Sequence, residues 1–275
     1  MPQKPRELRS QALQYLSISD PAEKCRAVTL LREAYQLGSI ALDPDILLSS
    51  DGLKIPGRPD RPELVNPGLV KRRSMATVEG RSVLIHALAH IEFNAINLAL
   101  DAIWRFRGMP QAYYEDWLKV AAEEAYHYDL LNRHLQSQGY AYGDFPAHNS
   151  LWEMVEKTTD SILARMALVP RTMESRGLDA LPPIQEKLEQ AHDQEAVRLL
   201  QIILNDEVGH VEIGNRWFNY ECQKQGLDPI EAYAQLVKQY EAPKLRGPFN
   251  YAARKAAGFT EAELAALDIH SDTTN

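Results

Sequence analysis

The sequence predicts an all-α fold: a four-helix bundle with extra helices before and after it and a long proline-rich loop. Three observations lead there. Apolar residues recur with helical periodicity along most of the chain, and the alternating β-branched runs that announce strands are missing. Four of the periodic stretches reach roughly 27 to 34 residues, about 40 to 50 Å at about 1.5 Å per residue, the scale of bundle helices.

Taken in order, the first third holds two helices, about Arg6 to Leu16 and Pro21 to Leu37. Asp20 is placed to cap the second, with Pro21 at its first position, where a missing amide donor costs nothing. The segment KIPGRPDRPELVNPG follows, in which Pro56, Pro59, Pro62 and Pro67 fix φ and remove donors, so it runs extended as a strap. The first long helix spans about Ser74 to Arg107 and stops at Gly108 and Pro110; the second spans about Gln111 to Gln138 and stops at Gly139. A turn-rich stretch, YAYGDFPAH, leads to a third helix from about Ser150 to Arg176, stopped by Gly177. Pro183 opens a shorter helix, and the fourth long one covers about Gln194 to Gln225, stopped by Gly226. After Asp228 and Pro229 comes a helix to about Glu241, then short helices near Phe249 to Ala257 and Glu261 to Leu267, and a polar tail. With no solenoid period and no linker, this reads as one compact domain: helices and strap over 1–73, the bundle over 74–226, and C-terminal helices over 227–275.

Composition removes several function classes. The net charge of −8 on 275 residues argues against generic nucleic-acid binding, despite short basic runs at Lys71, Arg72 and Arg73 and around Lys244 and Arg246. No stretch approaches the roughly 18 uninterrupted apolar residues of a membrane span, and the polar start MPQKPRELRS has no apolar leader core, so the expected location is the cytoplasm. Cys25 and Cys222 stand alone in helical contexts and support neither a disulfide framework nor a thiolate zinc site.

The informative residues are acids at core positions. On the second long helix the apolar stripe reads Trp117, Val120, Ala121, then Glu124, His127 and Tyr128, then Leu131 and Leu135. The fourth repeats this with Leu200, Ile203, Leu204, then Glu207, His210 and Val211, then Gly214, Trp217 and Phe218. On the first, Leu88, Glu92, Ile96 and Ala99 share a face; on the third, Leu163, Ala167, Pro170 and Glu174 do. A lone buried carboxylate is expensive, and four of them require cations. Two divalent ions match them in formal charge, and a Glu and a His three residues apart on one helical face offer an oxygen and a nitrogen to one ion. Mixed carboxylate and imidazole ligation suits iron or manganese.

A single Glu-x-x-His carries little weight, and a third copy, Glu189 with His192, lies with Gln185, Glu186 and Asp193 on a polar face that reads as solvated surface. Joint spacing singles out the other two: Glu92 to Glu124 is 32 residues and Glu174 to Glu207 is 33, so two antiparallel hairpins match almost residue for residue. Glu123 and Asp206 precede the motif glutamates and are candidates to receive an imidazole N–H from the partner helix. His86 and His90, one turn apart, fit hydrogen-bonding or packing roles near the metals, and Tyr128 fits a hydrogen bond to a ligand or an oxidisable site. Pro170, four residues before Glu174, removes an intrahelical bond and distorts the third helix beside the metals; Arg165 and Arg171 flank it and are expected to pair with acids.

The order Glu, Glu-x-x-His, Glu, Glu-x-x-His resembles the ferritin-like di-iron carboxylate superfamily. More narrowly, PGRPDRP, HALAHIE, WLKVAAEEAYH, YGDFPAHNSLW, LVPRTMESRGLD, ILNDEVGHVEIGNRWF and GPFNYAARKAAGF resemble the bacterial DUF455 family, over about Lys54 to Phe259. The resemblance implies Glu92, Glu124, His127, Glu174, Glu207 and His210 as ligands of two iron ions and an oxidoreductase that activates O2 or peroxide. Such an enzyme takes a small-molecule substrate and an electron donor, and is a monomer or small homo-oligomer. Iron storage or detoxification is the alternative, disfavoured because the added helices and strap wrap the bundle more than a cage subunit would allow. A tRNA-modifying hydroxylase is the other alternative, disfavoured by the acidic charge.

Overall fold

The structure is a computed structural model that describes residues 7–70 and 73–271, with side chains described as far as residue 267. Among the described residues the fold is all-α, with isolated bridges and no strand. The chain separates into two compact units, Met1–Asn149 and Ser150–Asn275.

The first unit holds α1 (Leu8–Leu16), α2 (Pro21–Gln36), α3 (Val78–Arg105) and α4 (Gln111–Ser137). Asp20 accepts the Glu23 amide at 2.7 Å with Pro21 at the first helical position, the expected cap. α3 starts four residues later than the periodicity predicts because Thr77 caps it, accepting from the Gly80 amide at 3.0 Å. It ends at Arg105, where Phe106 turns extended, and α4 folds back against it after Pro110. α1 lies on α3, and α2 on α4. The buried Arg9 guanidinium closes the end of α3 by donating to the Ile103 and Trp104 carbonyls at 3.3 and 2.7 Å, oxygens that have no intrahelical donor. Its other nitrogen reaches Pro44 O and Ile46 O at 3.0 and 2.8 Å and so fixes the chain beyond α2.

The strap runs irregularly over 38–70 and 73–76 except for a 3-10 turn at Pro67–Leu69. It is tied to the loop after α4 by Val65 N–H to Ala147 O at 2.8 Å and Ala147 N–H to Glu63 O at 3.0 Å. Of the basic run, Lys71 and Arg72 lie outside the described residues, and Arg73 pairs with Glu79. α3 has the length and composition of a membrane span, but 78% of its apolar window is buried inside the protein, so the core uses that apolarity.

The second unit departs from the sequence reading at its start. The expected continuous third helix is three pieces: α5 (Ser150–Lys157), α6 (Ile162–Leu168) and a π-helical turn (Val169–Glu174), which runs on into α7 (Ser175–Gln190). The break after α5 is held by side chains. Thr158 Oγ1 donates to Met154 O at 2.8 Å, Arg165 donates to Thr158 Oγ1 and to Val155 O at 2.8 Å each, and Ser161 caps α6. The π turn falls at Pro170, which has no amide hydrogen and whose ring crowds the preceding turn; the widened turn eases that crowding, and Thr172 Oγ1 donates to Ala167 O at 2.8 Å.

Gly177 therefore does not stop a helix, and Pro183 does not start one: both lie inside α7, with Pro182. Pro182 deprives the Leu178 carbonyl, four residues back, of its donor, and Asn250 Nδ2 supplies one instead at 3.2 Å. α8 (Gln194–Gln225) has the predicted bounds, capped by Asp193 and ended by Gly226 at φ +68°. α9 (Pro229–Gln239), α10 (Tyr251–Ala256) and α11 (Glu261–Ser271) complete the unit.

Candidate metal centre

In the first unit α3 contributes Glu92, and α4, one hairpin turn later, contributes Glu124 and His127. Glu124 and His127 are fully buried and Glu92 is 4% exposed. His127 Nδ1 stands 3.3 Å from Glu92 Oε2 and 3.4 Å from Glu124 Oε2, and one donor atom from each of the three lies within 4.8 Å of the others. The Glu92 carboxyl is pushed well above the usual carboxylate range, by burial first and then by the Glu124 charge, with His127 opposing both. Two buried acids side by side repel when both are ionised, so either one holds a proton or a cation joins them. Glu92 Oε2 is buried and faces the imidazole, which places that oxygen and His127 Nδ1 on a common point.

In the second unit Glu207 and His210, on one face of α8, are 8% and 1% exposed, with His210 Nδ1 3.9 Å from Glu207 Oε1. Glu174 is the last residue of the π turn and is 8% exposed. A Cβ on Gly177, one turn later, would lie 3.9 Å from Glu207 Cδ, so the backbone following Glu174 passes directly over the Glu207 carboxylate. This unit thus carries a second buried Glu-x-x-His pair, with Glu174 buried on the π turn that leads into the backbone passing over it. The set of one imidazole and two carboxylates at Glu92, Glu124 and His127 matches a divalent ion that accepts oxygen and nitrogen.

The remaining candidates fall in different surroundings. Glu123 forms ion pairs with Lys119 at 3.1 Å and Arg32 at 3.8 Å, and Asp206 is half-buried. His90 hydrogen-bonds Tyr142 OH at 2.8 Å through Nδ1 and the His148 carbonyl at 3.1 Å through Nε2. His86 Nε2 accepts the Gly143 amide at 2.9 Å, which leaves the hydrogen of the neutral ring on Nδ1. Burial lowers both imidazoles to about 4. Tyr128 is buried between Phe93 and Tyr142, at ring-centroid separations of 5.7 and 5.3 Å. Glu189 and His192 are exposed, as expected for solvated surface, whereas Asp193 is buried as the α8 cap. Arg171 pairs with an acid, Glu263, at 2.6 Å, and Arg165 donates to a hydroxyl and a carbonyl.

Sequence reasoning passed over Lys24. It is fully buried on α2, donating to Leu16 O at 3.3 Å, to Gly57 O at 2.9 Å and to Asn97 Oδ1, with Phe93 4.8 Å below. Burial, opposed by Cys25 and aided by Arg58, lowers its pKa to about 7. A signal was present: Lys24 shares the α2 stripe with Val28 and Leu31, at intervals of four and seven residues.

A family model described as "Protein of unknown function (DUF455)" matches residues 17–265. A protein of Haemophilus influenzae whose name reads "Uncharacterized protein" is 47% identical over 260 residues, covering 90% of this chain and 89% of its own. No solved structure matches the chain.

Proposed function

The chain belongs to the DUF455 family, whose description carries no activity, and from its buried acids and imidazoles we propose a dinuclear metal protein, an oxidoreductase of ferritin-like kind. Glu92, Glu124, Glu174 and Glu207, with His127 and His210, would hold the two ions. The observation that carries this reading is the cluster of Glu92, Glu124 and His127, buried together with donor atoms within 4.8 Å, where a bound cation would let both acids ionise. The second unit supports it with the same three residue types: four carboxylates and two imidazoles hold two divalent ions at formal neutrality.

Iron, or manganese, suits that donor set, and two such ions when bound supply one-electron chemistry toward O2 or peroxide. The chain's own part is to hold the ligands in a dry setting and to keep bulk water from the reacting atoms. A small-molecule substrate and an external electron donor complete the proposal. Anaerobic loading with Fe(II), metal counting and exposure to O2, followed by optical and Mössbauer spectra, tests it. The expected result is two irons per chain and an oxygen-dependent spectral change; loading of many irons per chain supports storage instead, and two irons inert to O2 would remove the redox claim.

A further inference from the structure

The π turn that ends in Glu174 is gripped from three helices of its own unit. From α8, Gly214 gives Pro170 its space and Asn215 Oδ1 accepts from Arg171 Nη1 at 2.7 Å. From α9, the Tyr233 hydroxyl meets Thr172 Oγ1 at 2.9 Å. From α11, Glu263 Oε1 accepts from Arg171 Nη2 at 2.6 Å, while its other oxygen accepts from the Thr260 amide and hydroxyl at 2.7 and 2.8 Å. The Arg171 guanidinium is 2% exposed and lies 4.5 Å from the Phe259 ring centroid, 5.0 Å from Phe218 and 5.2 Å from Tyr233.

That is more restraint than a helix needs. A π turn is a strained, locally widened segment whose register can revert, and reversion turns every following side chain about the helix axis. Arg171 stands three residues before Glu174 inside the same turn. Whatever fixes Arg171 therefore fixes the direction in which Glu174 leaves the backbone, and a charge-assisted, hydrogen-bonded and ring-stacked guanidinium has one well-defined pose. Asn215 further ties this turn to the C-terminal segment by donating to Ala257 O at 2.8 Å.

We propose that Arg171, with Glu263 and the segment 257–263, is a latch that positions Glu174 for metal binding, so that the C-terminal segment sets the affinity of one of the two metal sites. This rests on the functional reading above, in which Glu174 is a ligand. Arg171 acts through the backbone and touches no metal itself; it is a positioning residue.

The test is anaerobic Co(II) titration of the full chain, read by calorimetry and by visible ligand-field bands, with hydrogen exchange of the peptide over 169–177 measured on metal-free protein. Glu263→Ala is expected to speed exchange in that peptide, weaken one of two Co(II) ions at least tenfold, change its band pattern, and leave the other ion within about twofold. Thr172→Val, which keeps the volume and loses both hydroxyl links, is expected to act in the same direction if Glu263→Ala proves too unstable to purify. Glu263→Gln, which keeps an acceptor for Arg171, is expected to restore much of the affinity. Lys24→Ala, which destabilises the other unit, controls for general loosening and is expected to leave the bands unchanged. Two wild-type affinities and bands in both Glu263→Ala and Thr172→Val would overturn the latch while leaving the dinuclear reading intact. A wild-type chain that binds no Co(II) would overturn both.

Discussion

A Cβ placed on Gly214 would stand 2.5 Å from Pro170 Cβ and 2.7 Å from its Cγ, so the absence of a side chain on α8 is what lets the π turn seat its proline. Gly214→Ala is expected to lower stability by about 1–3 kcal/mol, the usual cost of overfilling a packed interior. Adding Pro170→Ala should recover part of that loss, and a thermal-denaturation double-mutant cycle measures the coupling. Strictly additive effects would show that the two residues do not share a space.

The metal-free chain should be more stable when one of its ligands is neutralised. Glu92 has a folded pKa raised above its unfolded value by burial and by Glu124, so it binds more protons folded than unfolded. Its contribution is fully present below the unfolded value and is lost as pH rises through the folded one. Glu92→Gln lacks that loss, and is expected to gain roughly 1–3 kcal/mol over wild type in chelator-treated protein at pH 8 while binding metal less tightly. Denaturant titrations at pH 5 and pH 8 check the sign: an equal offset at both values contradicts the assignment.

Lys24 gives a pH dependence of the opposite sense. Its folded pKa, lowered to about 7, means that the unfolded chain binds more protons between there and the ordinary lysine value of 10.5. Stability contributed at this site is complete above the unfolded value and is lost as pH falls through the folded one. Wild type should therefore gain stability relative to Lys24→Met as pH is raised from 7 toward 10. A pH-independent difference would show that Lys24 keeps its charge throughout.

Much of this architecture was legible in the residues. The bounds of α8 follow from Gln194 to Gln225 because its cap, its stripe and Gly226 all lie within or next to the helix. Glu92, Glu124 and His127 were legible together because an acid on an apolar face is a local anomaly, and two anomalies at matched spacing reinforce each other. The break at Thr158 and the passage of α7 through Pro182 were not, because the groups that permit them come from elsewhere. Arg165 reaches back across the break, and Asn250 lies 72 residues from the Leu178 carbonyl that it serves. Lys24 was missed for a related reason: its acceptors belong to α1, the strap and α3, and only folding brings them to one point.

Substitution also separates the chosen motifs from the discarded one. Glu124→Ala and Glu207→Ala are each expected to abolish binding of the metal pair, and Glu189→Ala, on an exposed face, to leave it intact. Metal content of purified variants by elemental analysis is the readout, and equal loss in all three would mean that the motif assignment is mistaken.

Anomalous diffraction from crystals of the Mn(II)- or Fe(II)-loaded chain tests the central claim most directly. The account predicts two anomalous peaks per chain, about 3.5–4 Å apart as in two-metal sites generally, ligated by Glu92, Glu124, His127, Glu174, Glu207 and His210. Peaks on other residues, or these six side chains turned away from any metal under saturating conditions, would contradict it.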